Sequence, residues 1–208
     1  MFYEKNKLPE LSDELFTNPT KEYRGAPFWA WNCKLDREVL RRQIKYLHDM
    51  GFGGFHMHSR TGMATPYLSD DFMSLVRFCV DEGKKNDMLP YLYDEDRWPS
   101  GAAGGLVTKN PRYRAKRIVF TDKPQEHYSF DEAVSEGKPY LLGVFDIEFD
   151  ADGQMLGYKR ISEKAAAENE KWYVYVKTPL NNPWFNNQTY IDTLDREAVD
   201  KFIEITYE

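Results

Sequence analysis

Apolar and polar positions change rhythm twice along this chain. After a mixed lead-in with short helical turns over residues 1–25, Pro27-Phe28-Trp29-Ala30-Trp31-Asn32 is a short apolar run suited to a strand buried on both faces. Leu35, Val39, Leu40, Ile44 and Leu47 then recur at helical spacing, with Asp36 placed as N-cap and Gly51 as the stop. The pair repeats in Gly53-Gly54-Phe55-His56-Met57-His58, followed by a helix capped by Ser69 whose apolar face is Phe72, Leu75, Val76, Cys79 and Val80. A third strand follows at Met88-Leu89-Pro90-Tyr91-Leu92-Tyr93, where Pro90 is tolerable near the strand start. Three strands spaced by two amphipathic helices predict parallel βα units with right-handed crossovers.

The second rhythm begins after the glycines of Gly101 to Gly105. Alternating, β-rich segments at Arg117 to Thr121, Tyr140 to Phe149, Gln154 to Ile161 and Trp172 to Lys177 predict antiparallel strands, and Asp150-Ala151-Asp152-Gly153 marks a hairpin. Tyr190-Ile191-Asp192-Thr193-Leu194 then reads as a returning strand, with a helix from Asp195 that still runs at Glu208. The pattern predicts an α/β chain: a partial TIM (β/α)8 barrel of about four strands with a small antiparallel β insertion after the third. The expected organisation is a lead-in over 1–25, the first part of the barrel over 26–110, the insertion over 111–180 and a resumed, truncated barrel over 181–208.

Composition narrows the class. The chain has 208 residues, 41% hydrophobic and 30% charged, the balance of a soluble globular protein. Lys and Arg total 28 against 34 Asp and Glu, interspersed and without a basic block, so no nucleic-acid footprint is present. Cys33 and Cys79 lack metal-ligand spacing and read as two buried free thiols. Met1 to Phe16 lacks the apolar run of a signal peptide, and no stretch approaches the roughly 18 apolar residues of a membrane span, so a cytoplasmic location is expected with no membrane partner. Aromatic residues make up 15%, enough to fill a core and also to provide flat platforms for apolar sugar faces.

Candidate chemistry concentrates at Asp94, Glu95 and Asp96, where the third strand ends. Glycosidic cleavage needs one carboxylic acid to protonate the leaving oxygen and one carboxylate as nucleophile or base, so these three are the candidate catalytic residues. The competing reading is a solvated acidic loop paired with Arg97. His56 and His58 alternate onto one side of the second strand and suit three roles: metal ligands, donors to sugar hydroxyls, or structural side chains with backbone partners. Arg60 stands at the strand mouth and can also meet a carboxylate of the next loop. Of Trp29 and Trp31, one is expected in the core and the other under a sugar. Candidate substrate contacts are therefore Trp31, Asn32, His56, His58, Arg60 and Trp98, with Asp192 a weaker candidate. The glycines after Trp98 lack the Lys-Ser/Thr ending of a phosphate loop, which excludes nucleotide binding on this signal.

Together, Phe28-Trp29-Ala30-Trp31-Asn32, Met50-Gly51-Phe52-Gly53-Gly54, His56-Met57-His58-Ser59-Arg60-Thr61-Gly62 and Tyr93-Asp94-Glu95-Asp96-Arg97-Trp98-Pro99-Ser100-Gly101 resemble the opening of α-L-rhamnosidase-like glycoside hydrolases, the family 106 kind and its uncharacterised relatives. The resemblance implies a large multidomain enzyme acting on α-L-rhamnosides or related plant or microbial oligosaccharides. It also implies catalytic glutamates largely beyond this chain, partnership with the remainder of its own polypeptide, and calcium in some members with no ligands assignable here. From the residues themselves no metal site and no cofactor is assigned. Two other readings stand beside glycoside hydrolysis: a metal-dependent amidohydrolase-like barrel using the His-x-His pair, and a non-catalytic carbohydrate-binding module.

Overall fold

The computed structural model describes residues 10, 12–183 and 186–208, so the N-terminal stretch searched for a leader lies mostly outside the described residues. The chain forms two compact units, Met1–Gly104 and Gly105–Glu208.

In the first unit a short helix α1 (Asp13–Thr17) precedes β1 (Phe28–Trp31), α2 (Arg37–Asp49), β2 (Gly54–Ser59), α3 (Asp70–Lys85) and β3 (Leu89–Asp96). The strands form one parallel sheet in the order β1-β2-β3. Both long helices start where the capping residues predict. One carboxylate oxygen of Asp36 accepts from the backbone N–H groups of Glu38 and Val39, and the Ser69 hydroxyl accepts from that of Phe72. Gly51, at φ +86°, ends α2 with its N–H donating to the His48 carbonyl.

Alternation sorts the sheet into two faces. Trp29 and Trp31 of β1 and Phe55 and Met57 of β2 bury against Leu40, Ile44, Phe72, Leu75, Val76 and Cys79 of the helices. Burying a ring such as Phe55 contributes about 1.5–3 kcal/mol. The alternate positions, Phe28, His56, His58, Tyr91, Tyr93 and Glu95, come to the opposite face. Opposite Met57 and Ser59 of β2 stand Leu92 and Asp96, so β3 carries two extra residues there while keeping its parity.

The second unit holds β4 (Arg117–Thr121), α4 (Phe130–Glu136), β5 (Tyr140–Phe149), β6 (Met155–Ile161), β7 (Glu170–Lys177) and α5 (Arg196–Tyr207). Its strands form an antiparallel sheet in the order β4-β7-β5-β6. The β5–β6 hairpin closes where the sequence marks it. Asp150 accepts on its side chain from the N–H groups of Asp152 and Gln154, and Gly153 takes a positive φ. One face of this sheet packs Tyr173, Tyr175 and Val144 with Val119, Leu141 and Ile161.

The barrel expectation is corrected by this arrangement. The described strands form a three-stranded parallel sheet and a separate four-stranded antiparallel sheet, which is not a TIM barrel, partial or resumed. The segment expected to return as a parallel strand, residues 190–194, makes only a local antiparallel bridge between Ile191 and Arg114. Its physical reason is visible at Asp192. That carboxylate accepts from Lys116 and from the Leu194 N–H, which turns the chain and leaves Leu194 96% exposed. Asp192 thus serves an ion pair of the second unit. Among the described residues, no helix is long and apolar enough to cross a membrane.

Candidate active site

The carboxyl ends of β2 and β3 bring the sequence-selected residues together in the first unit, but in three different settings. Glu95 is the carboxylate that meets an imidazole, that of His58. Its Oε1 lies 3.3 Å from Nε2 of His58, and the two residues are each 6% exposed. A carboxylate accepts, which assigns the proton of the neutral ring to Nε2. Burial pushes the His58 imidazole below its ordinary range, Glu95 pulls in the opposite direction, and the Arg60 charge adds a smaller downward push. Burial prevails, so His58 is neutral at pH 7 and donates to Glu95 without adding a positive charge.

Rings pave the rest of this face. His58 lies 4.5 Å from Tyr93 between centroids, His56 stacks on Tyr91 at 4.6 Å and 15°, and Phe28 sits 5.3–5.4 Å from His56, His58 and Tyr93. Phe28 remains 64% exposed, an open aromatic surface beside a buried carboxylate. His56 Nδ1 donates to the Ala26 carbonyl at 3.1 Å, so this imidazole is oriented by the backbone.

Asp96 is held otherwise. It is buried, accepts from the Ser59 hydroxyl at 2.8 Å, and pairs with Arg97 Nη1 at 3.1 Å. Arg97 also donates from Nη2 to the Met63 carbonyl, and its own backbone adopts φ +68°. A non-glycine residue in that region costs about 1–3 kcal/mol and persists only where its surroundings fix it, which these contacts do. Asp96 therefore anchors the β2–β3 mouth. Asp94 accepts from the Ser100 hydroxyl at 3.0 Å, tying the strand end to the following turn.

The remaining candidates separate. Arg60 donates to the carbonyl of Arg97 at 3.1 Å, not to a carboxylate through that bond. Trp98 is 48% exposed and Asn32 is exposed at the end of β1. Trp31, expected beneath a sugar, is instead 2% exposed on the helix-facing side, against Trp29 and Phe72. Both tryptophans of β1 belong to the core because both share the parity of Met57. Sequence reasoning missed Phe28, Tyr91 and Tyr93 as members of the face. The signal was present: Tyr91, Tyr93 and Glu95 stand two apart in one strand. Among the described residues, no group of three or more His, Cys, Asp or Glu is placed to hold a metal ion.

No model of a known protein family matches the chain, and no curated protein matches it. Among solved structures, a rhamnosidase from Novosphingobium sp. PP1Y is similar over 71% of this chain, with 15% identity and a TM-score of 0.43. The chain spans 17% of the length of that enzyme.

Proposed function

We propose that this chain contributes a carboxylate and a sugar-facing aromatic surface to a glycoside hydrolase acting on α-L-rhamnosides or related glycosides. The observation that carries the reading is Glu95, a buried carboxylate hydrogen-bonded to a neutral imidazole on a face lined by Phe28, Tyr91 and Tyr93. Aromatic faces stack against the C–H side of a pyranose, while a desolvated carboxylate supplies the acid–base or nucleophilic half of glycosidic cleavage. His58 acts through Glu95: its Nε2–H fixes the carboxylate orientation. Asp96 and Asp94 support the strand end, the first through Ser59 and Arg97 and the second through Ser100. The choice of rhamnosides rests on the resemblance of the segments around residues 28–32, 50–62 and 93–101. An amidohydrolase-like zinc site draws no support here: His56 and His58 each keep one ring nitrogen outside their bonds to Ala26 and Glu95, but among the described residues no group of three or more His, Cys, Asp or Glu is placed to hold the metal with them.

The test is Glu95→Gln in the intact protein, with 4-nitrophenyl α-L-rhamnopyranoside as substrate. The swap keeps the size and the hydrogen bond from His58 but removes the charge. Turnover should fall by about 10²–10⁴-fold with binding retained. Activity within a few-fold of wild type would remove Glu95 from the chemistry. Sugar binding by the wild type without turnover would favour the carbohydrate-binding module.

A further inference from the structure

The second unit contains a cavity that the chemistry of Glu95 does not use. Its volume is about 490 Å³, within the roughly 300–1,000 Å³ range of small-molecule sites. Its apolar lining comes from Phe130 and Val134 of α4, Tyr140 at the start of β5, and Val176 of β7. Phe130 and Tyr140 meet edge to face at 5.5 Å, and Phe130 is still 62% exposed, so a ligand can cover it. This is a built concavity with a ring available.

The rim decides the ligand's charge. Three cations line the cavity, which at first suggests an anion, but each is already matched. Lys116 spends its ammonium on Asp192 and on the carbonyls of Arg112 and Arg114. Lys138 pairs with Glu136 at 2.8 Å and lies over the Tyr128 ring, and Arg112 pairs with Glu197. The lining also includes the Asp195 carboxylate. An incoming anion would meet no unmatched ammonium and would lie near several carboxylates. What remains at the rim is a mixed set: further N–H groups of the Arg112 guanidinium, the Thr178 hydroxyl, and the second oxygen of Asp195, whose first accepts from the Glu197 N–H. Such a set suits a neutral molecule bearing hydroxyls.

We infer that this cavity binds a neutral glycoside with an apolar aglycone, the aglycone against Phe130 and Tyr140 and the sugar hydroxyls at Arg112, Thr178 and Asp195. The site holds glycoside without cleaving it, and it stands independently of the role assigned to Glu95.

The experiment measures binding of 4-nitrophenyl α-L-rhamnopyranoside and 4-nitrophenyl β-D-glucopyranoside to the protein by isothermal titration and saturation-transfer NMR, with 4-nitrophenyl phosphate as the anionic comparison. Val134→Trp fills the cavity from a partly exposed helix position, and Phe130→Ala removes an exposed ring. Both glycosides should bind wild type. Phe130→Ala should weaken them about three- to tenfold, and Val134→Trp should abolish the saturation transfer from the nitrophenyl ring assigned to this site. Phe28→Ala, which removes the open ring of the face in the first unit, should leave this binding unchanged, and that separates the cavity from that face. Where Val134→Trp misfolds by circular dichroism, Phe130→Ala and Thr178→Val carry the test. Equal binding by wild type and by folded cavity variants, or tighter binding of the phosphate, would overturn the assignment. So would loss of all binding in Phe28→Ala.

Discussion

At the residue scale, His58 connects packing to chemistry. It is buried between Phe28 and Tyr93 and hydrogen-bonded to Glu95, and burial holds its pKa below the ordinary value. The unfolded chain takes up a proton near pH 6.5, where the folded ring resists it. Above that pH both states are neutral and stability is fully present. As pH falls through the unfolded value, the unfolded state binds more protons and stability declines, until the folded ring protonates too. Thermal midpoints of the wild type should therefore drop between about pH 7.5 and 5.5, while His58→Gln, which keeps a donor for Glu95, flattens that slope. Identical slopes would show that His58 carries no linked proton. The window is distinct from that of the carboxylates. Glu82, lowered chiefly by its hydrogen bond from Lys85, and Asp146, lowered chiefly by the Glu168 N–H, contribute stability lost only at more acid pH. Of the site, the sequence made the titratable members legible, because strand parity pairs His56 with His58 and places Glu95 at a strand end. It did not distinguish the three adjacent carboxylates. Their separation depends on Ser59 and Ser100, ordinary residues whose roles arise only from the register of β2 and β3.

At the element scale, legibility followed local chemistry. Asp36 and Ser69 cap their helices, and Asp150 to Gly153 close their hairpin, because each signal is satisfied within a few residues. Helix α4 went unread although Ser129 and Glu132 form a full capping box and Gly137 ends it with φ +71°. Its seven residues are too few to show a helical period. Residues 190–194 failed the other way: the apolar alternation suits a strand, but the Lys116 ion pair and the Asp192 turn decided the outcome. The sharpest element-level test lies in the central strand. A Cβ at Gly54 would stand 2.3 Å from the Leu89 carbonyl oxygen, a backbone atom of the neighbouring strand that cannot yield without opening the sheet. Gly54→Ala should thus destabilise the protein by about 1–3 kcal/mol, read as a lower urea midpoint with an unchanged slope. A midpoint equal to that of wild type would mean that β2 and β3 tolerate separation at this point.

At the scale of the whole molecule, the high aromatic content resolves into distinct uses. One set, with Trp29, Trp31, Phe55 and Phe72, fills the helix-facing core of the first unit, and another, with Phe28, Tyr91 and Tyr93, forms its polar-aromatic face. A further set lies on the sheet of the second unit opposite the Tyr173–Tyr175 core. Phe120 stacks on Trp172 at 4.5 Å, Phe145 meets Tyr158 edge-on, and Ile118 shares the parity of Phe120. Ile118 and Tyr158 are 67% and 68% exposed, which leaves apolar area in water on a chain whose net charge of −6 otherwise favours solubility. Sulfate strengthens the drive to remove such area from water, so salting-out reports it directly. The double change Ile118→Thr and Tyr158→Thr keeps β-branched or strand-compatible side chains and leaves the net charge untouched, which isolates the apolar contribution. Solubility at a fixed ammonium sulfate concentration should rise roughly two- to fivefold, corresponding to about 0.4–1 kcal/mol of apolar transfer. The thermal midpoint should change little, because both side chains are mostly exposed in the folded state. Unchanged solubility with an unchanged fold would mean that this face does not govern how the protein leaves solution, and that the exposed Phe16, Leu180 or Leu194 does so instead.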